Sequence, residues 1–97
     1  MIEREYILTL YETYNKLLTE REKNYFEYYY FEDYSMQEIA DLYKVSKAYA
    51  SKYLNKINDK IISYEKILKI NDRNSKIIDL LKNVNDSELK SKIIELL

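Results

Sequence analysis

The chain has 97 residues and lacks glycine, proline, cysteine, histidine and tryptophan altogether. Each absence removes a class of chemistry. Without cysteine or histidine, the usual zinc, haem, iron–sulfur and thiol sites cannot be built. A carboxylate-only calcium or magnesium site would need the spaced acidic loop of an EF-hand, and no such spacing occurs. Without glycine there is neither a phosphate-cradling loop nor a dinucleotide fingerprint. The commonest general base is missing too, and no Ser or Tyr stands beside an obvious substitute. The chain is therefore expected to be no enzyme, with no catalytic residues, no cofactor, no metal and no small-molecule ligand. A chain without disulfides suits a reducing compartment. Its opening, MIEREYILTL, carries charges where a secretion signal needs an apolar run. No stretch approaches the roughly 18 unbroken apolar residues of a membrane span. A cytoplasmic protein without a membrane partner is the expectation.

What is present is helix-forming and unevenly charged. Residues 1–43 carry net −6, residues 44–69 net +5, and residues 70–97 balance at five charges of each sign. The overall −1 thus hides a basic segment in the middle. Such a segment can neutralise phosphates locally, while the acidic amino-terminal part opposes indiscriminate binding.

The whole chain reads as helix. Residues 3–17 place Ile7, Tyr11, Tyr14 and Leu18 on one stripe, with Leu10 and Leu17 beside it. Thr19 and Glu22 form a capping box that opens a second helix bearing Tyr25, Phe26, Tyr28, Tyr29 and Tyr30. The aromatic run favours strand by propensity, but the cap and the lack of turn residues or a partner strand decide for helix. Asp33 sits where the chain needs a left-handed residue, which Asp tolerates better than most. Ser35 and Glu38 make a second box. Ile39, Ala40 and Tyr43 then give an apolar edge, Lys44 occupies a tight turn, Val45 is a buried plug, and Ser46 caps the next helix. Cap, short helix, turn, apolar plug, cap, basic helix is the order of a helix-turn-helix.

The helix opened by Ser46 has no obvious stop before Asn71-Asp72. Ala50, Leu54, Ile57, Ile61, Tyr64 and Leu68 recur along it at spacings of four and three, about three heptads of seam. That seam either covers the domain's own core or pairs two chains as a homodimer. Asn71 or Asp72 caps a helix with Ile77, Ile78, Leu81 and Val84. Asn85 with Glu88 suggests a last box before Leu89, Ile93, Leu96 and Leu97. These two short helices are marginal alone and must dock on something.

With Leu18 to Ile57 laid out, LTEREKNYFEYYYFEDYSMQEIADLYKVSKAYASKYLNKI resembles the carboxy-terminal promoter-reading domain (region 4) of bacterial sigma factors. It is closer still to the small YlxM family of helix-turn-helix proteins. Contact points are LL-T before the second helix, KNY within it, YY with an acidic turn, D-Y-S-x-x-E-I-A, V-S-K, and YEKIL at Tyr64 to Leu68. The likeness covers residues 8 to 70. It implies an all-α, sigma-region-4-like helix-turn-helix domain over residues 1–70, with an amino-terminal helix and a long recognition helix. Residues 71–97 follow as a helical extension. It also implies an accessory or regulatory part in the signal recognition particle pathway, whose genes neighbour those of the family. Family members carry Arg then Gln-Ala-Val at the recognition-helix start; here stand Lys47-Ala48-Tyr49-Ala50. Lysine is a point charge where arginine is a planar fork for guanine.

On that helix the outward row is Ser46, Lys47, Ala48, Ser51, Lys52 and Asn55, with Lys56 nearby. Lys47, Lys52 and Lys56 suit phosphates, and Ser51 and Asn55 suit base edges. DNA is the expected partner, with RNA or a ribonucleoprotein next and a merely solvated lysine face as the plain alternative. Tyr25, Tyr29 and Phe26 are expected in the core. Tyr28, Tyr30 and Tyr34 cannot all be buried, and with acidic neighbours they suit a protein partner. Together with Ile61, Tyr64 and Leu68 they form the expected partner or dimer surface.

Overall fold

The computed structural model describes residues 3–97, all of whose regular elements are helices. They run α1 (Arg4–Tyr14), a 3-10 turn (Asn15–Leu17), α2 (Glu20–Tyr30), α3 (Met36–Tyr43), α4 (Lys47–Leu68), α5 (Ile70–Leu81) and α6 (Ser87–Glu95). Among the described residues there is no strand, and no helix is long and apolar enough to cross a membrane.

The starts of α2 and α3 follow from local chemistry. Thr19 Oγ1 accepts from the Glu22 amide (3.2 Å), and the Glu22 carboxylate accepts from the Thr19 amide (2.8 Å). Ser35 and Glu38 repeat the exchange at 3.0 Å each way. Ser46 Oγ accepts from the Tyr49 amide at 3.0 Å and opens α4. Among the described residues three take left-handed backbone without being glycine: Asp33 (φ 56°), Lys44 (φ 56°) and Lys69 (φ 52°). Each sits where one helix hands over to the next, the place where glycine would cost least.

Ile7, Leu10, Tyr11 and Tyr14 of α1 meet Tyr25 and Phe26 of α2, Ile39 and Ala40 of α3, and Ala50, Ile57 and Ile61 of α4 in one core. Tyrosines build much of it. The Tyr11 ring stacks on Phe26 with centroids 4.0 Å apart, and its hydroxyl donates to Glu27. Tyr25 stacks on Tyr43 at 4.3 Å and tilts against Tyr53 at 4.4 Å. A phenol buries a ring yet keeps a polar tip that must find a partner or water; Tyr11 finds Glu27 and Tyr14 finds Glu65.

Several expectations need correction. Leu17 is exposed, because the chain tightens into the 3-10 turn and rotates it off the stripe. Val45 is half-buried rather than a full plug. The long helix stops at Leu68, not at Asn71-Asp72, because Lys69 turns left-handed and Ile70 at once begins α5. Neither Asn71 nor Asp72 caps α5. Its first amides are satisfied by Glu65, one turn back on α4: the carboxylate accepts from Asn71 N (3.1 Å) and Asp72 N (3.0 Å). The same buried carboxylate accepts from the Tyr14 hydroxyl at 2.5 Å, and that hydroxyl accepts from Ile70 N at 3.2 Å. One clamp therefore ties α1, α4 and α5 together. The last helix is capped by Asp86 (Oδ1 to Leu89 N, 3.0 Å), not by Asn85 with Glu88.

Candidate nucleic-acid interface

The expected reading edge lies on the outer face of the front half of α4. α3 props it there. Ile39, Ala40 and Ala50 are all 0% exposed, so two small side chains are enclosed where the paired helices pack. Between the helices, Lys44 (φ 56°, ψ 46°) closes α3 as a Schellman-type end: Val45 N donates to Ala40 O at 2.9 Å. The left-handed residue turns the chain sharply, and Ser46 restarts it.

Turned away from that packing, Ser46, Lys47, Ala48, Lys52, Asn55 and Lys56 are exposed, and Ser51 is half-buried. Ala48, Ser51, Lys52 and Asn55 fall at the three- and four-residue spacings of one helical stripe. Lys44, Lys47, Lys52 and Lys56 have no carboxylate within ion-pair distance among the described residues. Lys60 differs. It is held by Glu22 at 3.0 Å, and that hydrogen bond raises its pKa. Burial pushes the Glu22 carboxyl up, but the Thr19 amide and Lys60 outweigh it and leave its pKa below the usual value. The basic segment is thus divided: its front lysines are free, and Lys60 is spent on anchoring α4 to α2. The positive end of the α4 dipole adds to the free lysines at the same place.

Tyr49 and Tyr53 flank this row with a distinctive geometry. Tyr49 and Tyr53 are near-parallel, 14° apart with centroids at 6.1 Å. With Lys52 and Lys56 they line a shallow groove of about 260 Å³ beside the lysine row. Tyr53 has its inner face on Tyr25, and burial raises the pKa of its hydroxyl. Tyr49 is half exposed. The detectable signal is the four-residue spacing of two tyrosines that alternate with Lys52 and Lys56.

The expected partner surface does not assemble. Ile61 is 0% exposed and belongs to the core, since α4 turns that position onto α1. Tyr28 and Tyr34 are half-buried and stack on each other at 4.9 Å, which satisfies much of their apolar surface locally. Tyr30 is fixed on three sides: Phe26 at 4.4 Å, the Arg4 guanidinium at 5.3 Å, and a hydroxyl that accepts from Asn58 Nδ2 at 3.0 Å. Tyr29, expected in the core, is half-buried at its edge. Tyr64 is half-buried against Tyr14, with centroids 6.1 Å apart. Of this set Leu68 alone is exposed.

Comparison with known proteins places these features in a family. The chain is 43% identical over 70 residues to a UPF0122 protein of Ureaplasma urealyticum serovar 10, covering 72% of this chain and 71% of that one. It is 38% identical over 64 residues to a UPF0122 protein of Staphylococcus epidermidis, covering 66% and 58%. A UPF0122 protein of Staphylococcus aureus (strain JH9) is 39% identical over 61 residues, covering 63% and 56%. Residues 1–97 match the family described as "Putative helix-turn-helix protein, YlxM / p13 like", and the chain belongs to that family, UPF0122.

Proposed function

We propose that this protein is a non-enzymatic regulatory factor that binds nucleic acid through the outer face of α4. The observation that carries the proposal is the uncovered, unpaired row Lys47, Lys52 and Lys56 beside Asn55 at the front of a helix propped outward by α3. In this reading the first turns of α4 enter a major groove and α3 lies across the backbone. The lysines neutralise phosphates and set register, and Ser46, Ser51 and Asn55 reach the groove floor beside Ala48. Residues 1–70 act as the binding domain, and residues 71–97 as its extension.

The biological setting we assign is the one the family likeness implies, a cytoplasmic accessory role in signal recognition particle-dependent secretion. A lysine row serves the RNA of a ribonucleoprotein as well as a DNA duplex, and the test includes both.

Fluorescence anisotropy with a labelled random-sequence DNA duplex and a hairpin RNA, each titrated across salt, decides the matter. Three phosphate-neutralising lysines on duplex DNA give a slope of about −2.7 in log affinity against log salt. Lys47→Glu with Lys52→Glu is expected to abolish binding while the circular dichroism spectrum is unchanged. Binding that survives this double change, or shows no salt slope, refutes the proposal. Preference for one probe assigns DNA or RNA.

A further inference from the structure

We infer that the α5–α6 arm, with the end of α4, is the seat of a second copy of this chain. The chain leaves apolar surface there that its own fold does not cover. Of thirteen large exposed hydrophobic residues among those described, eight lie between Ile67 and Leu97, the last 31 positions. Ile67 is 76% exposed, Leu80 71% and Leu96 86%, while Leu81 is the one buried residue from Ile70 onward. Helices of twelve and nine residues do not hold themselves in water, so their stability has to come from packing on a neighbour.

The amount of uncovered surface fits one interface. A compact chain of this mass exposes about 5,900 Å². This one exposes 7139 Å², and its radius of gyration is 16.9 Å where about 13 Å is typical of a compact chain of this length. The excess of about 1,200 Å² exceeds the roughly 800 Å² per partner that a standard stable interface buries.

Charge selects a copy over a stranger. Residues 70–97 carry five acidic and five basic side chains. Lys76–Asp72, Lys82–Asp79 and Lys92–Glu88 pair within the arm at 3.0, 3.1 and 3.3 Å. A neutral, self-paired surface offers no field to draw an oppositely charged partner and raises no repulsion against its own image. Two-fold pairing requires that kind of self-complementarity. It would also present two α4 reading edges from one particle, as helix-turn-helix dimers do on paired half-sites.

Sedimentation equilibrium of the full chain, without nucleic acid and up to millimolar concentration, tests the inference independently of the lysine row. The wild type is expected at twice its 11.9 kDa mass. Leu80→Glu with Leu96→Glu, both at solvent-facing positions, is expected to return it to a single mass. Circular dichroism would show the same helical content in the concentrated wild type and a frayed arm in the variant. A wild-type monomer throughout overturns the inference, as does a dimer that these two changes leave intact. A monomer that instead holds a different protein on the arm overturns it as well.

Discussion

Replacing Glu65 with Ala should expose how much the clamp at the rear of α4 contributes. The carboxylate is 9% exposed and takes three hydrogen bonds, from Tyr14 Oη, Asn71 N and Asp72 N. Loss of a helix-start acceptor costs about 1 kcal/mol. A buried donor left without a partner, here the Tyr14 hydroxyl, costs about 1–3 kcal/mol. Relief of the buried charge returns about 1 kcal/mol of that, so a net loss of about 1–3 kcal/mol is expected. An unfolding entropy of about 2.1 cal/mol/K per residue makes 1 kcal/mol worth about 5 °C for a chain of this length. Thermal melts followed at the helical dichroism band should therefore shift down by about 5–15 °C. Tyr14→Phe removes one member and should cost about 1 kcal/mol, since the Ile70 amide also loses its acceptor. Because the two side chains share the clamp, the double variant should be less destabilised than the sum of the singles. A Glu65→Ala melt within about 3 °C of wild type, or strict additivity with Tyr14→Phe, would show that α5 is held by other means.

Lys69→Gly relieves a left-handed lysine at φ 52° and should raise the melting temperature by about 2–5 °C; a fall would mean that the lysine side chain supports the joint. Glu22, with its pKa held below the ordinary value, contributes stability that is present above the unfolded pKa and is lost as pH falls through the folded one. Lys60, with its pKa raised, contributes below its unfolded pKa and loses that contribution as pH rises through the folded value. Melts taken from neutral to acid pH should therefore lose less stability in Lys60→Met than in wild type; equal losses would deny the coupling.

How legible the fold was depended on the range of the interactions. Thr19 with Glu22 and Ser35 with Glu38 are three residues apart, so both helix starts could be read from the sequence and appear as expected. Asp33 and Lys44 as left-handed joints were also local inferences, from the residues flanking two helices. The break at Lys69 was not legible, because nothing at that residue marks it. Its cause is a carboxylate four positions earlier and a phenol on another helix. The anchoring of Tyr30 was not legible for the same reason: its hydroxyl is engaged by Asn58, 28 positions away. Ile61 was misread because a heptad seam looks alike whether it faces the same chain or another. The lysine row could be read from the spacing, but the division of labour between Lys60 and the front lysines required the position of Glu22.

α4 is continuous for 22 residues, a rod about 33 Å long. Its back end is bolted to α1 and α5, and its tip bears the cationic face. Between those ends it is held along its length, with Ala50, Ile57 and Ile61 in the core and Lys60 tied to Glu22, so neither end can turn without carrying the packing of α1, α2 and α3 with it.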